Sequence, residues 1–416
     1  MKNKSIYVWQ SELSSDIFAK SILFLISPLL GFMMAIRRIN TKSSFIVLFL
    51  FAVFFGLNFE TTVGRDETNN SDASVYRWRF EILKDMSQGD VSDVFSAFMS
   101  FDDAQNRDVY VPLVAFLATR ISNNYHVFFA ILAMVFAFFS LRTLRFFTSE
   151  LEGRINLYVL ILLYLFAITN SIFNINGCRF WTAAWVAVYS LFQIYRNGNK
   201  RYYILAAITP MIHASYWFFL SVLLIALFLQ KATRFWKIFF FASFILSSVS
   251  MQLVVDLSSY LPSSLQFLVE RYTGEVELKT NLYQVIRRIF SFASTVLTVY
   301  MMYLLMKHEK EIKNNPKTNN LYPFLLVWMS ICYFVMPIPS LGGRYIVLGS
   351  PIMAYVWLVT FEKQSKYRNV LILYPVANLM FIYELICCYL EYSVPMSFYY
   401  TSPIYQFYKY IILGVI

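Results

Sequence analysis

The feature that most constrains this chain is the recurrence of long apolar runs. Stretches of roughly 16 to 25 continuously apolar residues follow one another along the sequence, separated by short polar turns. Each matches the hydrocarbon thickness of a bilayer. Backbone in lipid must satisfy its own hydrogen bonds, so only helices or a closed barrel can cross. The runs do not alternate with a period of two, which selects helices. Composition agrees, with 58% hydrophobic, 19% aromatic and only 14% charged residues, against about 25% charged in a soluble domain. The expectation is an all-α polytopic membrane protein, one membrane domain over 1–416, with about 11–13 transmembrane helices.

In chain order, the spans are expected at 17–36, 43–57, 125–147, 155–173, 179–195, 238–255, 283–306, 321–338, 344–361 and 369–391. Residues 17–36 run straight into Arg37 and Arg38 without a small-residue cleavage site, so the segment reads as a span and not a cleavable signal. Residues 109–121 contain Pro112 and are short for a span, which suggests a re-entrant or half-depth helix. Residues 202–230 lie between two basic turns, so they read as a hairpin with Pro210 and His213 near its apex. The stretch 402–416 is apolar and its depth is open.

Charge orients the chain. The turns 37–42, 142–154, 196–201, 231–237, 307–317 and 363–368 hold 19 of the 35 Lys and Arg and are expected to be cytoplasmic. The 58–109 loop carries 11 acids against 5 bases and is expected outside, as is the smaller loop 256–281. On this scheme the N-terminus also lies outside. An amphipathic surface helix is expected over 75–86. The net charge of +11 follows from this topology. No basic tract with interleaved aromatics points to nucleic acid. Cys178, Cys332, Cys387 and Cys388 lie in apolar runs without CxxC spacing and read as packed thiols. His126, His213 and His308 are too scattered for a metal site, and no nucleotide-binding fingerprint is present, so no cofactor is expected.

Some cations defy the scheme. Arg120, Arg179, Arg287, Arg288 and Arg344 fall at the outer ends of helices, with His213 near the hairpin apex. They either snorkel and pair with loop carboxylates or converge on a polyanion such as pyrophosphate. Gly342-Gly343-Arg344 opens a helix whose first N–H groups could meet an anion, or is a plain turn. His213 has three readings: a packing histidine, a general acid or base, or a hydrogen-bond donor to substrate. Among the outer-loop acids Asp66, Asp72, Glu81, Asp102, Asp103 and Asp108, Asp72 is the leading candidate for a general base.

Three short elements resemble the EpsG-like group of Wzy-type bacterial polysaccharide polymerases. They are Asp72, Tyr76 and Phe80 in SDASVYRWRFE, Arg179 and Ala183 in CRFWTAA, and His213 with Ser215 in IHASYW. Arg344 fits the same plan. Ser71 stands where the group usually has glycine, and Phe180 where it often has glutamine. The resemblance implies a glycosyltransferase of the bacterial cytoplasmic membrane, its active site facing outward. It would move a glycan from a polyprenyl-pyrophosphate-linked donor to a lipid-linked acceptor, as in O-antigen, capsule or exopolysaccharide synthesis. Its partners would be a polyprenyl-pyrophosphate-linked oligosaccharide, membrane lipid, a chain-length regulator and a flippase. On that reading Arg179 and Arg344 bind pyrophosphate, and His213 handles a proton or positions the acceptor. Asp72 and Tyr76 then organise the sugar or the loop. The competing expectations are a lipid-glycan flippase or transporter, a glycan ligase, or another membrane transferase.

Overall fold

A computed structural model describes residues 9–64, 71–84, 108–151, 155–167, 170–260, 281–338, 341–361, 367–389 and 394–414, with Ser92 and Gln266 as isolated positions. Most of both outer loops, including Asp66, Asp102 and Asp103, lies outside these residues. Among the described residues every regular element is helical. They are α1 (Ser14–Ile26), α2 (Pro28–Arg37), α3 (Lys42–Leu57), α4 (Asp72–Leu83), α5 (Tyr110–Thr119), α6 (Tyr125–Thr148) and α7 (Leu157–Ala167). There follow α8 (Cys178–Leu191), α9 (Tyr202–Ala207), α10 (Thr209–Ile212), α11 (Trp217–Leu229), α12 (Thr233–Ser258) and α13 (Leu282–Lys307). The chain continues with α14 (Glu309–Asn314), α15 (Leu321–Phe334), α16 (Gly342–Phe361), α17 (Arg368–Ala377) and α18 (Leu379–Glu384), and closes with α19 (Ser397–Tyr400) and α20 (Pro403–Phe407).

The polytopic all-α fold is as expected, but among the described residues fewer helices than expected have full spanning length. Among the described residues Tyr125–Thr148, Thr233–Leu253, Leu282–Lys307 and Gly342–Phe361 are long and apolar enough to cross a membrane, and so by length and composition is the stretch Leu157–Arg196, which α7, the turn Ile172–Gly177 and α8 divide. The pair α17–α18, bent by 53°, makes a sixth if counted as one span. The other apolar helices, such as α3, α5 and α15, have 10–17 residues. At 1.5 Å per residue these reach about 15–26 Å, less than a full hydrocarbon core.

All the basic turns that the structure describes meet at one end of the bundle. Arg196 donates to Glu150 at 2.7 Å and to the Tyr355 hydroxyl at 2.5 Å, while Lys317 donates to Glu150 at 2.6 Å. Burial pushes the Glu150 carboxyl up, and hydrogen bonds from Lys317 and Arg196 outweigh that, so its pKa ends lowered. Lys237 and Lys313 both pair with Glu309. His308 Nε2 lies 2.6 Å from the Tyr367 hydroxyl. We call this the basic end and its opposite the far end.

The N-terminus departs from expectation. Residues 17–36 are not one span, because the chain breaks at extended Ser27 and reverses. A Cβ on Gly31 would sit 2.6 Å from that of Phe24, a contact a continuous helix never makes. Buried Lys20 donates to Thr41, Ser43 and Ser44 and pairs with Glu12, and Asp16 pairs with Arg38. Trp9 lies under the Arg145 guanidinium, 3.8 Å from it. α1 and α2 are therefore a hairpin, and residues 9–16 lie at the basic end, not opposite it. A buried lysine demands such compensation, which Glu12 and the 41–44 turn supply together.

The 202–230 hairpin forms as expected. α9 and α10 rise along α8, the chain turns through His213–Tyr216, and α11 returns to Trp236, whose indole donates to Leu229 O at 2.8 Å. The first arm, of 11 residues, stops part-way at about 17 Å. α5 is equally short. The helix expected over 75–86 begins earlier, at Asp72, where Ser71 accepts from Ser74 N. On it Tyr76 and Phe80 are buried in the protein, Phe80 stacking on Phe128 at 5.2 Å, while Trp78 and Ile82 are exposed. The last segment runs past the α1–α2 hairpin apex, where Ser402 donates to Leu25 O at 2.6 Å. It ends at the far end, where Asn124 donates to Tyr410 O at 2.9 Å.

Candidate functional site

The head of α8 is where the far end becomes polar. A 3-10 turn, Ile172–Gly177, delivers the chain into α8, and Asn176 Oδ1 accepts from Ala73 N at 3.2 Å. That bond fixes the first turn of α4 beside Arg179. Arg179 Nη1 donates to Asp108 Oδ2 at 2.7 Å, and its Nε donates to the Tyr76 hydroxyl at 3.0 Å. Asp108 is 3% exposed and Tyr76 1%. Burial pushes the Asp108 carboxyl above the usual carboxylate range even though Arg179 and Arg79 pull it down. Burial also pushes the Tyr76 hydroxyl up, so it stays protonated. α4 is held by Arg77, which lies 3.6 Å over the Tyr125 ring and donates to Thr61 O.

A second cluster adjoins the first. Val109 N donates to Met211 O at 2.9 Å, tying the residue after Asp108 to the chain just before His213. Tyr216 donates to Phe180 O at 2.9 Å. The Phe180 ring packs on Trp181 and Tyr216 and also meets His213 edge-on at 5.4 Å, Tyr345 at 5.3 Å, and the Arg344 guanidinium at 5.7 Å. Ser215 Oγ sits 2.8 Å from His213 Nδ1 and 2.7 Å from the Tyr345 hydroxyl. Ser215 N also donates to Nδ1 at 3.3 Å. A backbone N–H can only donate, so Nδ1 is an acceptor, and neutral His213 therefore carries its proton on Nε2.

The structure thus brings Tyr76, Asp108, Arg179, His213 and Arg344 around the head of α8, with Asp72 in the first turn of α4. The other predicted cations are elsewhere. Arg120 turns back over Phe116 at 4.7 Å, one length of α5 away, about 15 Å. Arg287 pairs with Glu384 at 3.2 Å and lines a separate cavity; Arg288 is exposed beside it. The two cations of the site also differ in kind. Arg179 is held by Asp108 and Tyr76, whereas Arg344 is exposed and has no carboxylate partner among the described residues. The glycines before it are not turn glycines, since neither has positive φ. A Cβ on Gly342 would lie 2.4 Å from Met336 Cα, so that glycine lets α16 pack closely on residues 332–336.

Sequence reasoning singles out none of three further participants. Asp108 stood among six loop acids with nothing to single it out except its place directly before an apolar run. Arg79, close enough for its charge to act on Asp108, is set apart by nothing in the sequence. Tyr345 is marked in the sequence only by its place after Gly342-Gly343-Arg344.

A bundle of apolar helices with polar clusters at its two ends defines a polytopic membrane protein, and the cluster at the head of α8 is its candidate site. The chain matches the model of the EpsG family over residues 44–411 and belongs to that family. It is thus a membrane protein of polysaccharide biosynthesis. No curated protein and no solved structure matches it.

Proposed function

We propose that this chain is a polysaccharide repeat-unit polymerase. It transfers a glycan from a polyprenyl-pyrophosphate-linked donor to a lipid-linked acceptor at the outer leaflet of the cytoplasmic membrane. The observation that carries this is the position of the site. Arg179, His213 and Arg344 gather at the far end, opposite every described basic turn, and short basic turns mark the cytoplasmic side.

In the reaction the acceptor hydroxyl oxygen attacks the donor's anomeric carbon. The bond from that carbon to the pyrophosphate oxygen breaks, and polyprenyl pyrophosphate leaves with the electron pair. Negative charge grows on the leaving oxygens, and a guanidinium aimed at them lowers the barrier. Arg344 is the available cation. Arg179 is spent on Asp108, so its part is to hold α4 and the loop carboxylates over the site. His213 Nε2–H donates to a substrate oxygen. The acceptor's proton goes to a carboxylate, and Asp72, exposed in the first turn of α4, is the candidate.

The test is a cell-free reaction with the purified protein in detergent and lipid-linked repeat units as sole substrate. A ladder of repeats is expected. A single addition would indicate a ligase, and no reaction would leave a flippase as the better reading.

A further inference from the structure

We infer that the cavity beside α13 binds the acceptor glycan, on the opposite side of α16 from the Arg344 site; this rests on the polymerase reading. The cavity has a volume of about 410 Å³, within the usual range for small-ligand sites. Helix α13 supplies one wall through Arg287, Ser291, Ser294 and Thr298. These positions fall on one helical face. The opposite face carries exposed Ile289, Phe292, Val296 and Tyr303, suited to lipid. A hydroxyl stripe along a membrane helix is costly unless it meets polar partners or a polar cavity.

The facing walls tell the same story. α16 contributes Gly343, Val347 and Ser350, and a Cβ on Gly343 would meet nothing within 4 Å. α17 and α18 are bent by 53° at Asn378, which lines the cavity and accepts from Ser294 Oγ at 3.4 Å. Irregular backbone at membrane depth is tolerated where it borders a cavity, and broken helices there accompany binding sites. Tyr333, Tyr374, Phe290 and Phe381 add aromatic faces.

Charge selects the ligand. The mouth carries Arg287 and Glu384, 3.2 Å apart, with Tyr283 donating to Glu384 at 2.6 Å. The lining is therefore neutral overall, so it does not suit a pyrophosphate. Hydroxyls, an amide, one Arg–Glu pair and aromatic faces suit a sugar, whose ring presents both apolar and hydroxyl surfaces. The acceptor brings only sugar to the bond being formed, while the donor brings the pyrophosphate. Gly343 lines the cavity and Arg344, the next residue, reaches Phe180, so a single helix start separates the two compartments.

The experiment uses two probes on the full chain in nanodiscs. One is the repeat-unit oligosaccharide, released from its lipid by mild acid and labelled at the reducing end. The other is farnesyl pyrophosphate. Ser294→Leu, which fills the cavity, and Glu384→Gln, at its mouth, are each expected to weaken oligosaccharide binding at least tenfold and leave farnesyl pyrophosphate binding unchanged. Arg344→Ala is expected to do the reverse. If Ser294→Leu lowers the melting temperature, Glu384→Gln decides. Oligosaccharide binding at wild-type strength in both variants, or no oligosaccharide binding by the wild type, overturns the cavity assignment. Farnesyl pyrophosphate binding that Arg344→Ala leaves intact counts separately, against the polymerase site.

Discussion

The Arg179–Asp108 pair gives the sharpest test of how the site is held together. The contact is short, 2.7 Å, and Asp108 is almost fully enclosed while the Arg179 side chain is 22% exposed. Removing one member of a buried pair strands the other charge, at about 3–5 kcal/mol. Arg179 keeps some access to water and its bond to Tyr76, which places the loss at the lower end, about 3 kcal/mol. We expect that loss for Arg179→Met and for Asp108→Asn. If the two were independent, the double variant would lose about 6 kcal/mol. Because it leaves no stranded charge, about 3–4 kcal/mol is expected instead, a coupling of about 2–3 kcal/mol. The assay is reversible unfolding of the detergent-solubilised protein in a double-mutant cycle. Additivity within about 0.5 kcal/mol would show that the pair does not fasten α4 to α8, and the role given to Arg179 would fall with it.

Three further outcomes follow from other contacts. Ser215→Ala removes the hydroxyl linking Tyr345 to His213 and should slow glycan transfer about five- to tenfold, the cost of about 1 kcal/mol of orientation, with Ser215→Thr restoring most of the rate. At Glu309, burial raises the carboxyl, but hydrogen bonds from Lys237, Lys313 and Thr233 outweigh it and hold the pKa at about 2, below its ordinary 4.5. Its contribution to stability is therefore present above pH 4.5 and lost as pH falls towards 2, so the melting difference between wild type and Glu309→Gln should shrink over that interval. Gly31→Ala places a methyl 2.6 Å from Phe24 Cβ. It should cost about 1–3 kcal/mol by forcing the α1–α2 hairpin apart, and an unchanged melting temperature would contradict the reversal at Ser27.

How much of this was written locally in the sequence varies with the kind of contact. Spans such as α6, α12, α13 and α16 were legible because hydropathy acts over one turn after another of the same helix. The hairpin at Ser27 was not, since proline in an apolar run is as compatible with a kink as with a reversal. What decides it is Lys20 reaching Thr41 and Ser44, a contact between elements. Arg179 and His213 were legible because charge and polarity in apolar surroundings demand a reason. Their partners were not. Asp108 and Tyr345 owe their roles to the tertiary meeting of α4, α5, α8, α10 and α16. Arg287 shows the same limit from the other side. Its place at the outer end of a helix put it with Arg344, but Glu384 and the bend at Asn378 draw it to a different cavity.

The central claim is that the polar end of the bundle performs glycan transfer with Arg344 as the cation for the leaving pyrophosphate. The direct measurement is the rate of ladder formation by purified wild type and Arg344→Ala on the same lipid-linked repeat units, with melting temperature recorded for both. Loss of one preorganised charge at a developing anion typically costs about 100- to 1,000-fold in rate. A loss of that size at an unchanged melting temperature is the expected result. Ladder formation by Arg344→Ala at close to the wild-type rate would contradict it.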